Sequence, residues 1–306
     1  KTGPRLTGTD ACRKAGNMIH EKWKKICDQT VMDSFKLHRD AFLSVTKILP
    51  TFYIIGLGLL YLGGEWIHFG SLILTLGLII LIAELFYYYE CIDFLLPETE
   101  GNNIVGTVLP QKDTRQTLIF SAHYDSPYVF HFLDKFQTVY KFLIIIGIIN
   151  YFFVTGLFFW FSFRLLQGGE VIIGSELIII LFLGLFAVIP FYFFITREVS
   201  PGFGDNLTAV FTIGKLAEFL SGKHNLPKLK HTRLVFLASD AEESGLRGAR
   251  EFVRQHIIEF KNHPHFNFNL DSIYKSEYLT FFTSDVNKTV KLSSEQSRNC
   301  FDIAGK

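Results

Sequence analysis

Two stretches, Phe142–Phe163 and Leu177–Thr196, contain no charged residue, and each approaches the ~20 residues a helix needs to cross a hydrocarbon core. No other feature restricts the fold of this chain as strongly. Because an even number of crossings returns a chain to the side it left, the sequence before and after this pair can build one domain on one membrane face. Two earlier runs predict a first hairpin that also returns: Ile48–Gly64, and Ile67–Tyr89, broken only by His68 and Glu84. Trp66 and Tyr87–Tyr89 sit where interfacial aromatics are expected. Pro190 is tolerable within a membrane helix, Glu84 lies near enough to a helix end to reach the interface, and Asn150 reads as an interhelical hydrogen-bonding residue. The composition agrees, since 306 residues with 49% hydrophobic content and 33 phenylalanines carry more apolar surface than one ordinary core buries.

The sequence around the hairpins has another character. "NIVGTVLP" and "TLIFSAHYDSP" are β-rich runs split by the turn-forming "QKDTRQ". Beyond the second hairpin, "SPGFGDN" leads into an amphipathic helix over 207–220, then a strand over 234–239, a helix over 245–260, and strands over 266–270 and 279–283. Strands alternating with helices predict an α/β sandwich. At the front, Ile19, Trp23, Ile26 and Phe35 fall at roughly helical spacing with Lys22, Lys24 and Lys25 among them, which predicts an amphipathic helical segment on the membrane surface. The expected divisions are therefore 1–47 (amphipathic segment), 48–96 (first hairpin), 97–136 (soluble domain, first part), 137–199 (second hairpin) and 200–306 (soluble domain, second part). The chain opens on Lys1 rather than Met and reads as part of a longer one.

A net charge of +1 and the absence of a basic stripe with interleaved aromatics speak against nucleic-acid binding. The cysteines Cys12, Cys27, Cys91 and Cys300 have neither the spacing of a metal knuckle nor the density of a disulfide scaffold, and are expected to be free thiols.

Chemistry enters with "LVFLASDAEESGLRG". Glu242 and Glu243 are neighbouring like charges where a buried strand meets a helix, so both must be solvated or neutralised. One glutamate as ligand to a dication and the other as a base beside a metal-bound water resolves the repulsion. His123 and Asp125 end an apolar strand in "SAHYD", a pattern that fits a metal ligand with its orienting carboxylate and equally a satisfied strand-end histidine. Asp205 in "GFGDN" fits either a loop ligand or a helix cap. Asp271 in "NLD" alone is an ordinary strand-end acid. Together they fall where the carboxyl ends of strands form the ligand crevice of an open α/β sheet.

"SAHYDSP", "GDN", "DAEESGLRGAREF" and "NLD", in this order, resemble the metal-site blocks of the M28 family of zinc aminopeptidases over about residues 100–130 and 200–285. The resemblance implies a three-layer α/β/α sandwich with a mixed sheet, cut short at its C-terminal end and joined here to four transmembrane helices in two hairpins. It also implies two zinc ions, with His123, Asp205 and Asp271 on one and Asp205 bridging to a second held by Glu243. Glu242 becomes the general base, Asp125 the carboxylate that orients His123, and the Asp205–Asn206 peptide bond is expected to be cis. The family takes a further histidine ligand from downstream of the position of Asp271. No histidine follows His265, so that ligand is expected beyond residue 306.

The implied activity is that of a membrane-bound aminopeptidase, with glutaminyl cyclisation on a single zinc and a catalytically inactive membrane scaffold as the alternatives. The inserted hairpin suggests hydrophobic or membrane-associated peptide substrates. Glu65, Glu170 and Glu176 on the far loops, set against the Lys-rich N-terminal segment, place the catalytic domain in the cytoplasm by the positive-inside rule, whereas the resemblance points outside it.

Overall fold

The computed structural model describes residues 2–222, 227–273, 275, 279–285 and 287–304. They form two compact units. One comprises 1–39, 97–127 and 199–306, the other 40–96 and 128–198.

The first unit is built on five strands: β1 (Gln29–Leu37), β2 (Thr99–Val108), β3 (Gln116–His123), β6 (Thr232–Ser239) and β7 (His265–Asn269), in the order β1-β2-β6-β3-β7. β1, β2 and β6 are antiparallel neighbours, whereas β3 runs parallel to both β6 and β7. The sheet is mixed, and its parallel half carries the site. Leu234, Val235, Phe236, Leu237 and Ala238 are buried one after another, as expected of a central strand covered on both faces. On one face Ile104, Phe236 and Ala238 pack with α1 (Asp10–Trp23) and α7 (Thr208–Leu220); on the other, Val105, Ile119 and Leu237 meet Phe252 of α8 (Arg247–Phe260). This is the three-layer α/β/α arrangement. A further helix, α9 (Ser294–Ala304), closes the described chain.

Two expectations are overturned here. The stretch 1–47 is not one amphipathic helix on a bilayer surface. α1 starts at a Thr9 cap whose hydroxyl accepts from Cys12 N at 3.3 Å, and it turns Cys12, Ala15 and Trp23 onto the sheet core. The residues after it become β1, where Phe35 and Leu37 are buried at a spacing of two rather than at helical spacing. Phe35 fits both periods, which is why the pattern misled. Nor do residues 279–283 form a strand: they are irregular, and just beyond them Ser284 and Lys291 form an isolated antiparallel bridge.

The second unit contains α2 (Ala41–Leu62), α3 (Trp66–Leu81), α4 (His131–Lys135), α5 (Gln137–Leu166) and α6 (Ser175–Val188), with a ribbon of β4 (Tyr128–Phe130) and β5 (Ile195–Val199). The inserted unit thus begins earlier than the expected 137. Four helices are long and apolar enough to cross a membrane, over Ala41–Leu62, Trp66–Phe86, Gln137–Leu166 and Ser175–Phe193. Their shared core includes Tyr53, Leu74, Tyr151 and Phe158. A Cβ on Gly70 would come within 2.5 Å of the Phe158 ring, so the missing side chain is what lets these helices close up. Asn150 donates to the Gly184 carbonyl at 3.2 Å, the expected link between helices. Glu84, by contrast, does not reach outward: it is fully buried and accepts from the amides of Cys91 and Ile92 at 2.9 and 3.3 Å. Pro190 lies in a 3₁₀ turn that continues α6.

Candidate metal centre

The three parallel strands deliver their carboxyl ends to one place. β3 ends at His123, β6 leads into Asp240–Glu243, and β7 leads to Asp271. Asp205 arrives on the loop ahead of α7. It is not that helix's cap, a position taken by Leu207. The Asp205–Asn206 peptide bond is cis, and the Asn206 side chain donates to Leu270 O at 3.0 Å and accepts from Ser272 N at 3.0 Å. Asn206 thereby ties the Asp205 loop to the segment carrying Asp271.

The ring of His123 organises the centre. Nε2 lies 3.0 Å from Asp205 Oδ1 and 3.8 Å from both Glu242 Oε2 and Asp271 Oδ1. It is buried, yet among the described residues no group stands in line to form a hydrogen bond with it. His123, Asp205 and Asp271 form one cluster able to hold a metal ion, and His123, Glu242 and Glu243 form another, the ligand atoms within each lying no more than 4.8 Å apart. Glu242 keeps 30% of its side-chain surface open, so solvent can reach it. A cavity of about 320 Å³ adjoins His123 and Glu242, walled by Leu237, Leu246, Phe252 and Phe260.

Asp125 holds the opposite side of the ring. Its Oδ1 lies 3.2 Å from His123 Nδ1 and accepts Glu242 N at 3.2 Å, while Oδ2 accepts Glu243 N at 3.1 Å. One carboxylate therefore fixes both the imidazole and the turn bearing the two glutamates. Ala241 and Leu246, at φ of 56° and 61° on either side of that turn, adopt the left-handed conformation that a non-glycine residue takes up only when its surroundings hold it.

The electrostatics follow from crowding acids around one ring. Burial would lower His123, but the carboxylates of Asp125, Asp205 and Asp271 outweigh it and hold the ring well above its ordinary value. Burial raises Glu242 and Glu243, and Glu243 is driven further by the charge of Glu242 beside it. Asp271 moves the other way, lowered by the neighbouring His123. A dication placed among these oxygens would offset both the burial of the glutamate charges and their mutual repulsion.

The structure thus brings together every residue singled out from the sequence: His123, Asp125, Asp205, Glu242, Glu243 and Asp271. It also adds three that were not. Asp240 is buried and raised by burial and then by the charge of Asp125. It accepts from Thr7 Oγ1 at 2.8 Å, Asn102 N at 3.1 Å and Ala241 N at 2.8 Å. Thr7 Oγ1 is also 3.4 Å from Asp125 Oδ2. Arg5, 1% exposed, lies in the same N-terminal segment. The acidic run "SDAEE" contained a signal for Asp240; nothing in "GPRLTGTD" pointed to a site far away along the chain.

The model of peptidase family M28 matches residues 192–305. Among solved structures, the chain is similar to a glutaminyl cyclase from Bacteroides thetaiotaomicron bound to N-acetylhistamine, at 11% identity and a TM-score of 0.47, covering 92% of this chain and 61% of that one. It is also similar to a Zn-dependent exopeptidase from Parabacteroides distasonis, at 13% identity and a TM-score of 0.45 over 92% and 60% of the two chains. A zinc aminopeptidase from Bacillus subtilis matches at 13% identity and a TM-score of 0.43 over 90% and 66%. The chain thus spans about three fifths of the length of the structures it matches. A comparison with the curated proteins returned no match.

Proposed function

Because residues 192–305 match the model of peptidase family M28, we propose that the chain carries a zinc-dependent exopeptidase site that removes N-terminal residues from peptides. The observation that carries this reading is the buried Nε2 of His123, facing the oxygens of Asp205, Asp271 and Glu242 with no aligned hydrogen-bond partner among the described residues. An imidazole nitrogen and several carboxylates are a donor set suited to zinc, and a buried nitrogen with no hydrogen-bond partner is costly unless a ligand takes it up.

His123, Asp205 and Asp271 would hold one zinc, and Glu243 would contribute to a second. When bound, such an ion supplies Lewis acidity, polarising the scissile carbonyl and acidifying a water. Glu242 is the base that takes the proton from the attacking water and returns it to the departing amine. Its raised affinity for a proton moves it toward neutral pH, where a general base is most effective. Asp125 keeps His123 in the tautomer that leaves Nε2 free for a metal and, through the amides of Glu242 and Glu243, orients the turn that presents both carboxylates.

The four apolar helices support insertion into a bilayer, and we infer that the substrates are hydrophobic or membrane-associated peptides. The test is zinc-dependent release of N-terminal residues by the full chain in detergent or vesicles. Glu242→Gln is expected to lower turnover by about 10²–10⁴-fold while zinc stays bound, and undiminished turnover would overturn the assignment. Appearance of a cyclised N-terminal glutamine in place of a released amino acid would favour glutaminyl cyclisation.

A further inference from the structure

The chain leaves the first unit after Pro127 and returns to it at Val199. The two segments at these points carry, a few residues away, the two halves of the candidate metal centre: His123 and Asp125 on one side, Asp205 on the other. An insertion of this size puts the alignment of the two halves at risk. Whatever ties the exit and return segments together also sets where Asp205 stands relative to His123.

Arg5 makes that tie. Its Nε donates to the Tyr124 carbonyl at 2.7 Å, Nη1 to the Pro201 carbonyl at 2.9 Å and Nη2 to the Gly202 carbonyl at 2.8 Å. A further Nη1 contact, to Gly3 O at 3.1 Å, steadies the strap that carries the arginine. The backbone joins in: Arg5 N donates to Ser126 Oγ at 3.2 Å and Ser126 N to Arg5 O at 3.0 Å. Ser200 N donates directly to Pro127 O at 2.9 Å, closing the root of the insertion from the other side. Gly202 is shaped to receive the guanidinium, since a Cβ there would come within 2.6 Å of Arg5 Nη2 and its φ is 61°. Two residues on, Thr7 reaches Asp240 and Asp125, so one extended strap touches both loops and the carboxylates beneath them.

A buried arginine normally sits against a carboxylate. Among the described residues Arg5 forms no ion pair, and its planar fork is spent on carbonyl oxygens of the exit and return segments. Only a rigid group with donors pointing several ways can span both at once.

We propose that Arg5 is a positioning residue that staples the exit and return segments of the inserted unit, and so holds His123 and Asp205 at metal-binding distance. The metal part of this proposal rests on the zinc reading above; the stapling part does not. Both are tested on the full chain with Arg5→Ala and Arg5→Lys. The first readout is hydrogen exchange of the metal-free protein. Residues 124–127 and 200–206 are expected to exchange faster in both variants, with the amides of β3 and β6 unchanged. The second is zinc affinity by chelator competition, with the absorption spectrum of the cobalt-substituted protein. Both variants are expected to bind zinc about 10-fold more weakly, the low end of what loss of a ligand's own hydrogen-bonded partner costs, because Arg5 acts on the ligands only through the segments that carry them. An altered cobalt spectrum is expected with it. Free guanidinium is expected to restore part of the loss in Arg5→Ala.

If Arg5→Ala does not fold, Arg5→Lys carries the test, because it keeps the charge and removes the fork. Wild-type exchange in both segments would overturn the proposal, as would Arg5→Lys behaving like wild type, since the charge alone would then suffice. Failure of the unaltered protein to bind zinc would overturn the metal reading, leaving exchange to decide the stapling.

Discussion

Replacing Asp125 with Asn changes one atom and tests how the centre is held. Asp125 is fully buried and uses both oxygens: Oδ1 for His123 Nδ1 and Glu242 N, Oδ2 for Glu243 N and, more weakly at 3.4 Å, the Thr7 hydroxyl. Asparagine has one acceptor oxygen, so one set must go. The better rotamer keeps the carbonyl on His123 and Glu242 and turns its NH₂ against Glu243 N. An orphaned buried amide costs about 1–3 kcal/mol, and each remaining bond loses its charge assistance, about 1 kcal/mol. Against this stands the relief of repulsion between Asp125 and the buried Asp240. For the metal-free protein the two effects partly cancel. For zinc they do not, because a weaker acceptor on Nδ1 makes Nε2 a poorer ligand and the Glu243 turn is no longer tethered. We expect zinc to bind about 10–100-fold more weakly, equivalent to about 1.4–2.7 kcal/mol, with Asp125→Ala weaker still because no acceptor remains. Chelator competition measures it. Binding of Asp125→Asn within about threefold of wild type, against that expectation, would refute the role assigned to this carboxylate.

Two further outcomes concern the sheet that carries the site. His256 of α8 reaches Asp33 of β1 at 3.1 Å and Glu259 at 3.3 Å, and the hydrogen bond to Asp33, more than the opposing burial, raises its pKa. A histidine raised on folding contributes stability that is complete below its unfolded pKa of about 6.5 and is lost as pH rises through the folded value. The difference in thermal midpoint between wild type and His256→Gln should therefore shrink as pH rises past that window; a difference independent of pH would count against the pair. Phe236, fully buried between the Phe120 ring at 5.7 Å and Trp23 at 6.4 Å, ties the central strand to α1. Phe236→Ala should cost about 3–5 kcal/mol, read as a lowered thermal midpoint, and an unchanged midpoint would mean that this face is not the core.

Much of the site could be read from single positions. Glu242 and Glu243 stood out because two adjacent acids directly after a buried strand must both be solvated or neutralised, and the family blocks around His123, Asp205 and Asp271 supplied their partners. Periodicity located α7, β6, α8 and β7 nearly to the residue, since each is amphipathic or wholly apolar over its full length. The front of the chain resisted the same reading. Phe35 satisfies a period of two as well as the helical one, and only pairing with β2 shows which applies. Glu84 looked able to reach the interface and is instead buried against the amides of Cys91 and Ile92, a partnership invisible until the chain folds back.

The amino-acid order by itself determined the α/β class, the four apolar spans and the identity of the candidate ligands, because those rest on residue type and on patterns a few residues long. Tertiary structure alone decided that Arg5 and Thr7 lie close to the loops bearing those ligands, that Asp240 sits against Asp125, and that His123 Nε2 faces the oxygens of Asp205, Asp271 and Glu242. These relations join positions more than a hundred residues apart in sequence. Hydrogen-bond geometry and burial at such separations are set by how the strands stack and where the inserted unit leaves and returns, and no local pattern encodes them.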